Sequence, residues 1–107
     1  MSSEIVSDDK VISNAELQPK AIEPPFYKVV YINDSQTSMQ FVVESLVDYF
    51  GHGELSAEKI TEDIHIEGSA IVAVLPYEIA EQKGIEVTVD ARSQGYPLQI
   101  KLKEHTH

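Results

Sequence analysis

The sequence predicts an α+β fold of order β-α-α-β-α-β, in which one three-stranded antiparallel sheet is covered by three helices and preceded by a disordered N-terminal arm. Three observations carry this. Two short runs, Tyr27–Ile32 and Ser69–Leu75, are apolar on both faces and rich in aromatic or β-branched residues, as interior strands are. The stretches that follow each of them keep apolar residues at helical spacing. Leu98, Ile100 and Leu102 alternate with Gln99, Lys101 and Lys103, as an edge strand does when its outer face is wet and lysines discourage further pairing.

The elements follow in order. Residues 1–24 set Glu4, Asp8, Asp9, Glu16 and Glu23 against Lys10 and Lys20 with only isolated apolar residues, too little to offset the entropy of ordering. They read as a flexible acidic extension that Pro24-Pro25 ends, ahead of a core spanning 25–104 and a frayed tail at 105–107. After the first strand, Asn33-Asp34-Ser35 breaks the chain with side chains that bond their own backbone. Thr37 with Gln40 three residues on makes a capping box, and Met39, Val42, Val43, Leu46, Val47 and Phe50 form one buried face of a helix that Gly51 stops. Ser56 is the expected N-cap of a second helix burying Ala57, Ile60 and Ile64 and closed by Gly68. Pro76 suits the first position of a third helix. There Ile79, Ala80, Val87 and Ala91 fit a helical face, while Ile85–Val89 alternates as a strand would. Length favours the helix, as does the need to cover the sheet, against about 1 kcal/mol lost at Gly84. Gly95-Tyr96-Pro97 makes the last turn.

Composition narrows function. A chain of 107 residues is one domain, its formal charge of -10 repels a phosphate backbone, and its 8 lysines and arginines are scattered, so nucleic-acid binding is disfavoured. No cysteine means no disulfide framework and no thiol chemistry, as expected of a cytoplasmic protein. No basic patch leads into an apolar run at the start, and no segment approaches the roughly 20 apolar residues of a membrane span. No cofactor is expected.

Asn33 and Asp34 stand at the exit of the first strand and His65 at the end of the second helix, so helices on one face of the sheet bring them to a common rim. An aspartate, an amide oxygen and an imidazole are acceptors that suit a small cationic donor such as a primary ammonium. The blander alternative is that Asn33 and Asp34 cap their turn and His65 bonds a backbone carbonyl. Ser35, His65 and Asp34 supply the residue types of a hydrolase, but no G-x-S-x-G elbow or glycine-rich oxyanion loop accompanies them. His65, His105 and His107 lack the spacing of a metal site, and no glycine-rich phosphate loop occurs.

The segments PPFYKVVYINDSQTSMQFVVESL, IHIEGSAIVAVLPYEIAEQKG and YPLQIKL resemble the ClpS adaptors, the bacterial N-end rule recognition proteins that deliver substrates to the Clp AAA+ protease. The resemblance runs from about Pro24 to Leu102. It rests on an N-D-x-x-T-x-M turn entering a helix, an H-x-x-G closing the next, and a P-x-E-x-A-E-x-K in the third. It implies a non-enzymatic adaptor, with no catalytic residue and no metal, in which Asn33, Asp34 and His65 hold the free α-amino group of a substrate. The bulky hydrophobic first side chain is then expected in a pocket lined by Thr37, Met39, Val42, Thr61, Ile64 and Leu98, for which ordinary core packing is the alternative. Glu78 and Lys83 would dock on the N-terminal domain of ClpA or ClpC, and the arm would engage the unfoldase during hand-over. A monomer is expected. A translation-factor docking module resembling the C-terminal domain of the ribosomal stalk protein is the alternative, which would not need Asn33, Asp34 and His65 together.

Three positions depart from the family pattern. Ser35 replaces a second aspartate, Ser38 a proline, and Thr61 a methionine that narrows the pocket. The shorter Thr61 is expected to reshape the pocket, either admitting β-branched first residues or holding large aromatics less tightly.

Overall fold

A strand of alternating burial needs something to cover its apolar side, and here three helices supply it. A computed structural model describes residues 25–106; the predicted arm at 1–24 and the last residue lie outside them. The described elements are β1 (Phe26–Ile32), α1 (Met39–Phe50), α2 (Glu54–Glu67), β2 (Ser69–Pro76), α3 (Tyr77–Ser93) and β3 (Gln99–Glu104). The predicted α+β order β-α-α-β-α-β is the order found. The sheet runs β2-β1-β3, with β1 central and antiparallel to both neighbours. The Ser69–Leu75 run expected to be an interior strand is therefore an edge strand instead: three strands leave one interior place, and the outward Ile71 and Val74 are exposed.

Val29 and Tyr31 of β1 are fully buried and pack with Leu46, Val72, Ala80, Val87, Ala91 and Leu98 in one core between the sheet and the helices. A bulge between Val29 and Val30 shifts the β2 register, so Val72 and Ala73 can both lean towards the helices while Ile71 and Val74 face outward. Two polar bonds tie the core. The Tyr31 hydroxyl lies 2.8 Å from Ser45 Oγ, which itself donates to the Val42 carbonyl at 2.8 Å, and burial pushes the Tyr31 hydroxyl pKa up. Tyr49 of α1 donates to Asp90 of α3 at 2.9 Å.

Helix boundaries differ from the expected ones, each for a visible reason. The cap of α1 is Ser38, whose Oγ accepts the Phe41 N–H at 3.1 Å; Thr37 is drawn back into the preceding turn by Asp34 and is not the cap. Gly53, with extended backbone, precedes α2, which starts at Glu54 instead of after Ser56. Pro76 is the last residue of β2 and caps α3, which begins at Tyr77. Along α1, Met39 and Val47 are exposed although they match the helical period, and on α3 Ile79 is exposed while Ala80, Val87 and Ala91 form the buried face. The third strand starts one residue after Leu98, which is left to plug the core at 1% exposure. Past β3, the His105 N–H still reaches the Phe26 carbonyl at 2.8 Å.

Candidate amine-binding hollow

The turn after β1 is built by one carboxylate. Asp34 Oδ1 accepts the N–H groups of Gln36 at 2.8 Å and Thr37 at 2.7 Å, and Oδ2 accepts the Thr37 hydroxyl at 2.8 Å. Burial by itself would raise the Asp34 pKa. The bonds from Thr37 and Gln36, with the charge of Arg92, outweigh it and hold the carboxyl below its usual range. The group is therefore an anion with about one acceptor position to spare, since a carboxylate can accept about four hydrogen bonds and three are made.

The preceding residue joins the turn to α2. The Asn33 backbone N–H donates to the Gly68 carbonyl at 2.9 Å, which draws the N-D turn against the H-x-x-G end of α2. Gly68 sits at φ 93°, in the left-handed region, and its own N–H closes the helix onto the Ile64 carbonyl at 2.9 Å. His65 lies one turn back from it. The imidazole of His65 and the side-chain amide of Asn33 are exposed, and neither has a hydrogen-bond partner among the described residues. Of the blander expectations, the one for Asp34 describes part of what it does, while the Asn33 and His65 side chains are left open.

These groups edge one small hollow. Its lining is Ile32, Asn33, Asp34, Thr37, Met39, Val42, Thr61, Ile64, His65 and Leu98. Thus β1, the turn, α1, α2 and the segment before β3 all contribute, and every residue expected at the amine or in the pocket is among them. Ile32 was missed; its place directly before Asn33 at the strand exit is the signal that could have found it. The space open to the centre of a water-sized sphere is only about 20 Å³, room for about one water. Val42, Thr61, Ile64 and Leu98 are buried, whereas Met39, an unbranched side chain, is 50% exposed. Thr61 turns its hydroxyl onto the Ala57 carbonyl at 2.7 Å, so its polar group is satisfied within α2.

Arg92 is a second residue that sequence reasoning did not single out. One of its guanidinium nitrogens, Nη1, donates to the carbonyls of Tyr96 at 2.9 Å and Leu98 at 2.8 Å, fixing the turn that presents Leu98 to the hollow. A cation in the last turn of a helix followed by a glycine turn was the available sign. Glu78 and Lys83 lie on α3 outside this lining. Ser35 is exposed and hydrogen-bonds to neither His65 nor Asp34, so no nucleophile–base pair is formed. Among the described residues there is no group of three or more potential metal ligands and no helix long and apolar enough to cross a membrane.

Comparison with known proteins shows the family. A family model described as ATP-dependent Clp protease adaptor protein ClpS matches residues 22–101. The ATP-dependent Clp protease adapter protein ClpS of Clostridium acetobutylicum is 41% identical over 91 residues, covering 85% of this chain and 90% of its own. That of Nautilia profundicola is 43% identical over 83 residues, covering 78% and 86%. The solved structure of Agrobacterium tumefaciens ClpS2 bound to L-phenylalaninamide superposes with a TM-score of 0.74 at 33% identity, covering 77% of this chain and 99% of that one. The chain belongs to the ClpS family, the adaptor proteins of the ATP-dependent Clp protease.

Proposed function

We propose that this adaptor binds proteins through a free α-amino group and a bulky hydrophobic first residue, and delivers them to a Clp AAA+ unfoldase. The observation that carries the reading is the convergence of Asn33, Asp34 and His65 on one hollow with apolar walls, the side chains of Asn33 and His65 having no hydrogen-bond partner among the described residues. An ammonium brings three donors and a charge, matching an amide oxygen, a carboxylate with an open lone pair and an imidazole nitrogen. Acetylation removes the charge and most of the donors. L-phenylalaninamide, which the related ClpS2 binds, presents this combination of free amine and large apolar side chain.

The side chain needs more room than the hollow has at rest. Met39 is the wall suited to give way, being unbranched and half exposed. Burying a leucine or phenylalanine there contributes roughly 1.5–3 kcal/mol. Glu78 and Lys83 of α3 are the proposed contact with the N-terminal domain of ClpA or ClpC, leaving the hollow free. The test is a titration of peptides differing only in their first residue, each with a free and an acetylated amine. Tight binding of free-amine Leu or Phe peptides, lost on acetylation or on replacing the first residue by Gly, is expected; equal binding of the acetylated forms would sink the reading.

A further inference from the structure

The face of the sheet turned away from the helices carries the other unusual feature of the molecule. Lys28 stands directly opposite Lys103, and Val30 opposite Lys101, across the β1–β3 ladder. Like charges facing each other across strands destabilise a sheet, yet none of the three lysines has an ion-pair or hydrogen-bond partner among the described residues. On β2 the same face exposes Ile71 at 51% and Val74 at 39%. The chain has a formal charge of -10 and 8 basic residues, so a surface with three lysines that have no ion-pair partner among the described residues, beside an apolar column, is the place where an acidic, partly apolar segment fits.

The chain itself contains such a segment. Residues 1–24 carry five carboxylates against two lysines, and Glu4–Asp9, EIVSDD, sets Ile5 and Val6 between acidic residues. The segment joins the fold at the right place, since Pro25 adjoins the first residue of β1 and its carbonyl accepts the Tyr77 N–H at 3.3 Å. At about 3.3–3.6 Å per extended residue, a connection of roughly 15 residues spans the sheet face with length to spare. We infer that the sheet face turned away from the described helices is a docking surface for the chain's own acidic N-terminal segment, Lys28, Lys101 and Lys103 meeting its carboxylates and Ile71 and Val74 its Ile5-Val6 pair. This inference does not depend on the amine-binding reading.

The full-length chain has no cysteine, so a spin label on Ser13→Cys reports where the segment lies. Paramagnetic broadening is expected at the amides of Lys28, Ile71, Lys101 and Lys103 and not along the exposed side of α2. It should fall about threefold or more between roughly 0.05 M and 0.5 M salt, as the screening length shrinks to a few ångströms. It should also be lost in Lys101→Glu/Lys103→Glu, and equally in Asp8→Asn/Asp9→Asn, which leaves the folded core untouched. Broadening spread evenly over both faces, or unmoved by both double variants, overturns the inference. So does broadening of an isotope-labelled, spin-free chain mixed with the labelled one, which would assign the face to a second copy.

Discussion

Replacing His65 by alanine separates binding from folding more cleanly than any other change at the site. The imidazole is exposed and has no hydrogen-bond partner among the described residues, so its removal breaks no bond among them. Stability should move by no more than about 0.5 kcal/mol, the range of surface substitutions. If the imidazole accepts from a substrate ammonium, that charged hydrogen bond is worth about 1.5–3 kcal/mol, and the Kd for a free-amine Leu peptide should rise about 10- to 150-fold. Asn33→Ala should behave alike, because its structural bond uses the backbone N–H that alanine keeps. Asp34→Ala should differ in kind. It removes three acceptor bonds from the turn, a loss comparable with that of a helix cap at about 0.5–2 kcal/mol, so the Tm should fall by about 4–8 °C per kcal/mol along with the affinity. Fluorescence anisotropy with free and acetylated peptides, beside thermal melts, tests all three. An unchanged Kd for His65→Ala, or an equal loss on the acetylated peptide, would refute the role given to the imidazole.

Thr61→Met puts a longer side chain into a hollow of about 20 Å³. It should weaken peptides starting with Ile or Val by about tenfold relative to Leu, roughly the worth of one or two buried methylenes; an unchanged rank order across first residues counts against a specificity role for Thr61. Gly68→Ala meets no atom within 4 Å of the new Cβ, so its cost is the left-handed φ of 93° alone, about 1–2 kcal/mol, read as a lower Tm in calorimetry. For pH, burial tends to raise the Asp34 pKa but the bonds from Thr37 and Gln36 and the charge of Arg92 win, leaving it depressed when folded. Its contribution to stability is present above the unfolded value of about 3.9 and is lost as pH falls through the lower folded value. The stability difference between wild type and Asp34→Asn should therefore be flat from neutral pH to about 5 and shrink only in stronger acid; a difference that shrinks near pH 6 contradicts this assignment.

Much of this was legible in the sequence because it depends on local pattern. Two apolar β-branched runs and an alternating edge strand specified the sheet, and helical spacing specified its cover. Boundaries were less legible because tertiary partners compete for the same groups. Thr37 has the sequence context of a cap, but Asp34 takes both its N–H and its hydroxyl, and the cap passes to Ser38. Met39 and Val47 obey the helical period and yet are exposed, because periodicity cannot say how wide a strip the neighbouring elements cover. Asn33, Asp34 and His65 could be named as types, but their meeting depends on the bond from Asn33 N–H to the Gly68 carbonyl between residues 35 positions apart. Arg92 escaped notice because its partners are backbone carbonyls, which any sequence supplies.

The two halves of the hollow are built with different stiffness, and that difference bears on what it can discriminate. At the polar end Asp34 is held by three bonds, Asn33 is tied to the end of α2, and Arg92 fixes the turn before Leu98. The Asp34 carboxylate and the backbone so held lose little entropy when a ligand arrives, while the exposed Asn33 and His65 side chains have no hydrogen-bond partner among the described residues to fix them. At the apolar end the buried walls leave room for about one water, and entry of a side chain requires displacement, most readily of Met39. On the proposed reading, a polar end anchored by Asp34 selects strongly for a free amine, because an acetylated end leaves desolvated acceptors unpaired. A yielding apolar end gives graded selection, since each first residue gains its own buried area less the cost of the opening it needs. Under the proposed function, selection for a chain end can thus be strict while selection among large side chains stays permissive, which would suit an adaptor whose clients share only their first residue's chemistry.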